Sequence, residues 1–217
     1  MKMQRAKLAA NLIRIKQLAL IPGLVGLVSF FLAGCGGLNY NEVAPHFDTF
    51  DPKIALVLPV KMPEGMDLET ETAGNVITDV VSKMKRFDSV IDPATARSQM
   101  AADQELQDAV VHYLAKLRTL GVSDKDLSKK IGEIYHSDTL IAVDVGRWGY
   151  MRYGGSNLAE VTISIKMIDA STGPVMWKAG HASQRTYSFI KPNLQSMARR
   201  VAQDIFECMP EPDAKQA

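Results

Sequence analysis

The chain has 217 residues, 47% of them hydrophobic, and sets 25 Lys and Arg against 24 Asp and Glu for a net charge of +1. That length fits one domain with a substantial core. Two cysteines are too few for a disulfide framework, and the chain beyond its basic N-terminal segment is mildly acidic, which argues against nucleic acid.

The charge is unevenly placed. Lys2, Arg5, Lys7, Arg14 and Lys16 form a basic N-terminal region with no acidic residue before position 35. An apolar stretch of sixteen residues, Leu18 to Ala33, follows and is broken by Pro22, Gly23 and Gly26. It is shorter than the ~20 residues a spanning helix needs. Basic, short apolar and small-residue segments in this order are signal-peptide anatomy. The stretch closes on Leu32-Ala33-Gly34-Cys35, which reads as a lipobox. Cleavage between Gly34 and Cys35 would remove residues 1–34, and the Cys35 thiol would receive the diacylglycerol. One buried acyl chain binds a bilayer marginally and two bind it stably, so such an anchor is effectively permanent. In lipoproteins generally an Asp after the cysteine retains the protein at the inner membrane. Gly36 stands there instead, which points to the outer membrane, facing the periplasm.

The processed chain would carry 20 Lys and Arg against 24 Asp and Glu, a net charge of −4. With Cys35 taken by lipid, Cys208 reads as a buried small hydrophobe on the apolar stripe of the last helix.

Residues 35–52 read as a tether rich in Gly, Asn, Asp and Pro, whose Tyr40, Phe47 and Phe50 would lay its distal part along the domain. The domain spans 53–208, and 209–217 is a polar tail. Ile54 to Val60 is an unbroken apolar run, as in a strand buried on both faces, with Pro59 marking its end. Asp67, Glu69 and Glu71 precede a helix carrying Ile77, Val80, Val81 and Met84 on one face. Val90-Ile91 is a short strand, and 94–102 a helical turn or two. Leu106 to Leu117 gives a long apolar stripe ending at Gly121. Ser123-x-x-Asp126 is read as a capping box for a helix lined by Leu127, Ile131 and Ile134. Ile141, Val143 and Val145 begin one alternating strand, and Val161 to Met167 make a second. Gly154 to Asn157 and Asp169 to Gly173 are hairpin turns, and a third strand carries Trp177. Pro192-Asn193 opens a final helix. The order predicts one α/β or α+β domain, with a mixed sheet of about five strands and a C-terminal antiparallel meander, flanked by helices.

Ile131-Gly132-Glu133, Ser137 to Ile141, Arg147-Trp148-Gly149 and the D-x-x-T-G-x-x-x-W run from Asp169 to Trp177 together carry a resemblance. Residues 53–208 resemble periplasmic lipoproteins of the CsgG-like and TolB N-terminal-like superfamily, and within it an uncharacterised lipoprotein branch. The resemblance implies an envelope role without catalysis, as secretion-pore subunit, synthase activator or adaptor. Pore-forming members carry long amphipathic hairpins. The connection from Tyr150 to Leu158 is short, which argues against a barrel.

No catalytic residues are expected: the chain has no G-x-S-x-G, P-loop or G-x-G-x-x-G motif. No cofactor or metal is expected either, because His46, His112, His136 and His181 lack ligand spacing. The candidate partner-binding segment is Arg147, Trp148, Tyr150, Arg152 and Tyr153, since Trp, Tyr and Arg concentrate at interfaces. The expected function is a lipid-anchored, non-catalytic adaptor or assembly subunit. Its expected partners are the membrane, through the lipid, and other envelope proteins or further copies of itself. A second reading is a glycan, peptidoglycan or small-ligand binding module in which Trp148, Tyr150, Tyr153 and Trp177 stack on sugars.

Overall fold

A computed structural model describes residues 37–211, within a compact unit that begins at Gly37. The lipobox, with Gly34 and Cys35, lies outside the described residues.

Six strands form one mixed sheet: β1 (Tyr40–Val43), β2 (Ile54–Val57), β3 (Ser89–Ile91), β4 (Thr139–Tyr153), β5 (Ser156–Asp169) and β6 (Val175–Tyr187). Five helices flank it: α1 (Thr70–Lys83), α2 (Pro93–Ala102), α3 (Gln104–Thr119), α4 (Lys125–Tyr135) and α5 (Leu194–Glu207). The strand order is β1-β6-β5-β4-β2-β3, an open α+β sheet rather than a closed barrel. β2 runs parallel to β3 and β4, and the remaining pairs are antiparallel. Among the described residues no helix is long and apolar enough to cross a membrane.

Period-two alternation divides β4, β5 and β6 between two cores. One face packs under α1 and α5 and takes Val143, Val145, Val161, Ile163, Ile165 and Trp177. The other packs under α2, α3 and α4 and takes Leu140, Ala142, Ile168 and Ala170. β2, buried from Ala55 to Val57, supplies both cores. It stops before Pro59, which has no ladder donor to give. The α2–α4 layer covers only the lower part of its face. Above it lies an uncovered sheet surface laced by ion pairs: Arg118 to Asp144 at 2.7 Å, Lys178 to Glu42 at 2.9 Å and Arg147 to Glu160 at 3.6 Å.

Three details differ from the sequence reading. The sheet has a sixth strand, β1, in the segment read as a tether, and Phe47 and Phe50 of that segment are buried in the core. α2 is a full ten-residue helix, opened by Pro93 behind an Asp92 cap. The cap of α4 is Asp124, not Ser123. Asp124 Oδ1 accepts from the Asp126 and Leu127 N–H groups, each at 3.1 Å, while Ser123 Oγ pairs with the Tyr113 hydroxyl at 3.0 Å. Burial pushes the Tyr113 phenol up to about 12.

Candidate functional site

The β4–β5 hairpin carries the segment expected to bind partners. Gly154 and Gly155 both have positive φ, at 57° and 83°. Two consecutive left-handed residues make the type I′ turn that matches strand twist, and glycine adopts it without Cβ strain. Tyr153 therefore pairs directly with Ser156, and the strands run to the tip.

A register shift between Val145 and Arg147 decides which way this segment points. Val145 pairs with Ile163 and Arg147 with Thr162, which leaves Gly146 as the extra residue of a β-bulge. Strict alternation from Ile141, Val143 and Val145 would turn Arg147 inward and Trp148 outward. The bulge reverses this. Trp148 lies opposite Val161 and is buried to 5% exposure in the core under α1 and α5. That corrects its expected place on a binding surface. Arg147 is exposed and faces Glu160.

Tyr150 is half on the surface. Its hydroxyl donates to the Pro192 carbonyl at 2.7 Å, and its ring meets Tyr187 edge-on at 5.7 Å. The Lys191 ammonium sits 4.9 Å from the Tyr150 ring centre. Residue 150 thus fastens the loop between β6 and α5 to the hairpin. Arg152 and Tyr153 are exposed near the tip and, among the described residues, make no ion pair. The structure therefore brings Arg147, Tyr150, Arg152 and Tyr153 to the surface and takes Trp148 away. Trp177, at 0% exposure, is likewise core, so sugar stacking would fall to Tyr150 and Tyr153 alone.

The sequence reading missed the loop that Tyr150 holds. Phe189 and Ile190 in that loop are 97% and 88% exposed. The signal was an apolar pair, Phe189-Ile190, between the end of a strand and the Pro192-Asn193 helix start.

The four histidines sit on separate elements, and among the described residues no group of three or more His, Cys, Asp or Glu is placed to hold a metal. His181 Nε2 lies 3.8 Å from Asp204, and His136 is the left-handed cap of α4. A cleft of about 470 Å³ is lined by Asp51, Lys85, Arg86, Glu207 and Glu211. Arg86 spans it, donating to the Pro210 carbonyl at 2.7 Å and lying over the Phe47 ring, and burial lowers its pKa. Cys208, at the C-cap of α5, is half-buried rather than the fully buried small hydrophobe expected.

No protein-family model and no curated protein sequence matches the chain. Several solved structures align with much of the chain at low identity. The PelC dodecamer from Paraburkholderia phytofirmans is 17% identical, with 78% of this chain and 94% of that chain covered and a TM-score of 0.46. Lipoprotein GNA1162 from Neisseria meningitidis is 13% identical, with 67% and 92% covered and a TM-score of 0.44. The hypothetical protein CT253 from Chlamydia trachomatis is 9% identical, with 71% and 94% covered and a TM-score of 0.48. The resemblance to the CsgG-like and TolB N-terminal-like superfamily finds no support in these matches.

Proposed function

We propose that this protein is a lipid-anchored component of the bacterial envelope, held by Cys35 at the outer membrane and acting in the periplasm as a non-catalytic adaptor or assembly subunit. The observation that carries this reading is the Leu32 to Cys35 lipobox behind a basic region and a short apolar stretch. The docking surface is the outer part of the β4–β5 hairpin: Arg147, Tyr150, Arg152 and Tyr153. Three long hydrogen-bonded strands and a glycine turn support this surface, so it is stiff and suited to a fixed partner.

Crosslinking in intact cells, followed by purification through a C-terminal tag and mass spectrometry, tests the reading. Specific envelope proteins, or a ladder of self-adducts, are the expected products. Adducts with neither would sink the adaptor role. A Trp148→Ala change is the wrong probe, because removing a buried Trp costs about 3–5 kcal/mol and unfolds the surface with it. Arg152→Glu with Tyr153→Ser changes only exposed groups and is expected to abolish the adducts while the thermal melt holds.

A further inference from the structure

The end of the sheet that holds the hairpin tip exposes two large apolar side chains in succession. Phe189 and Ile190 are 97% and 88% exposed. A soluble surface rarely presents two consecutive large hydrophobes at such exposure, and such patches mark interaction sites. The loop carrying Phe189 and Ile190 is not loosely hung. It leaves β6 at Tyr187, whose ring meets Tyr150, and returns at Pro192, whose carbonyl accepts the Tyr150 hydroxyl. Both apolar side chains are therefore held out from a fixed base.

Charge at this end is opposite to that of the rest. Segments 147–160 and 183–192 carry Arg147, Arg152, Arg185 and Lys191 against Glu160 alone, a net of +3. The processed chain totals −4, so the remainder carries −7. Among the described residues Arg152 and Arg185 form no ion pair, and Lys191 contacts only the Tyr150 ring face. A cationic collar around an aromatic and aliphatic tip is the chemistry of an anionic phospholipid interface: rings and aliphatics enter the headgroup level and the cations meet phosphate.

We infer that the loop after β6 is a second membrane contact, in which Phe189 and Ile190 insert into an anionic phospholipid surface and Arg185 and Lys191 meet its phosphates. The inference rests on the proposed function only in placing the domain beside a bilayer. It does not need acylation of Cys35. A single acyl anchor point leaves a domain free to swivel, and a second contact would fix its orientation.

The test uses the compact unit from Gly37 onward, which closes its own cores and carries no lipid. Phe189→Trp places a reporter on the exposed tip. Added vesicles of phosphatidylethanolamine and phosphatidylglycerol should shift its emission to the blue, and brominated lipids should quench it. Phosphatidylcholine vesicles should do much less. Arg185→Glu or Lys191→Glu should weaken partition by about fivefold or more per site, and Ile190→Ser by about tenfold or more. All four positions are exposed, so the melt should not move. No shift with anionic vesicles would overturn the inference. So would an equal shift with phosphatidylcholine. A shift that follows protein concentration without lipid would assign the patch to a second copy of the chain and overturn it as well. Loss of Cys35 acylation in cells would leave these vesicle results unchanged, so the two readings fail separately.

Discussion

Asn41 Oδ1 accepts a hydrogen bond of 2.7 Å from the indole N–H of Trp177, the largest fully buried side chain of the core. Its amide also donates to the Cys208 carbonyl at 3.1 Å. One polar residue on the edge strand β1 therefore satisfies a buried donor and ties that strand to the end of α5. Asn41→Ala would leave the indole N–H unpaired, at a cost of about 1–3 kcal/mol. For a domain of this size that is a fall of about 2–4 °C in Tm for each kcal/mol. Calorimetry on the variant checks it, and an unchanged melt would show that Asn41 is dispensable.

Gly132 sets how closely α4 approaches the sheet. A Cβ there would lie 2.7 Å from the Ala170 Cβ and 3.0 Å from the Ser137 carbonyl. Neither neighbour is a flexible tip that swings aside. Gly132→Ala should therefore destabilise the domain by about 1–3 kcal/mol, despite the better helix propensity of Ala. Ala170→Gly removes one of the two obstacles and should recover part of the loss. Urea midpoints for the two single variants and the double variant measure the coupling, and strictly additive losses would refute the steric account.

Acid stability follows from three carboxylates that cap local structure. The Thr95 backbone N–H, helped by the Thr95 hydroxyl and the Ala94 N–H, holds Asp92 below the usual carboxylate range. The Lys116 ammonium, at 2.6 Å, holds Asp124 low, with the Leu127 N–H adding to it. Burial pushes Asp169 upward, but bonds from the hydroxyls and backbone N–H groups of Thr172 and Ser171 outweigh it and leave the pKa lowered. Each carboxyl is therefore more acidic folded than unfolded, where the value is about 3.9. The native state binds fewer protons, so this stability is present above about pH 4 and is lost as pH falls through the folded values. The urea midpoint should hold from neutral pH to about 5 and then decline, and Asp92→Asn should flatten part of that decline. A midpoint independent of pH throughout the acid range would refute this.

Much of this architecture is legible in the chain. The alternation from Val161 to Met167 reads directly as β5, and Asp169 to Gly173 as the turn in which Asp169 Oδ1 accepts from the Ser171 N–H at 2.8 Å. Asn193 reads as the start of α5, whose Ser196 N–H it caps at 2.8 Å. β1 is not legible, because Tyr40-Asn41-Glu42-Val43 is exposed at all four positions and has no alternation; only its pairing with β6 makes it a strand. The inward turn of Trp148 is hidden for a different reason. It depends on one inserted residue, Gly146, and a bulge shows in sequence only as a glycine like any other. The exposed Phe189-Ile190 loop was visible as composition but not as a surface, since only Tyr150, thirty-nine positions earlier, holds it in place.

The fate of Cys35 gives the sharpest division between readings. A sulfur in a diacylglyceryl thioether has no valence left for a disulfide. The chain has two cysteines, Cys35 and Cys208. Acylation and an intrachain disulfide are thus alternative fates of one sulfur. The lipid-anchor proposal expects the membrane-extracted protein to yield a Cys35 peptide heavier by its acyl groups, and expects Cys35→Ser to move the protein off the membrane. It also expects reductant to leave the melt unchanged. A disulfide closing a loop of this length would contribute about 5 kcal/mol by restricting the unfolded chain, so reduction would then lower the Tm markedly. A non-reducing peptide map joining Cys35 to Cys208, with that fall in Tm, would replace the lipid anchor with a covalent strap at the end of α5.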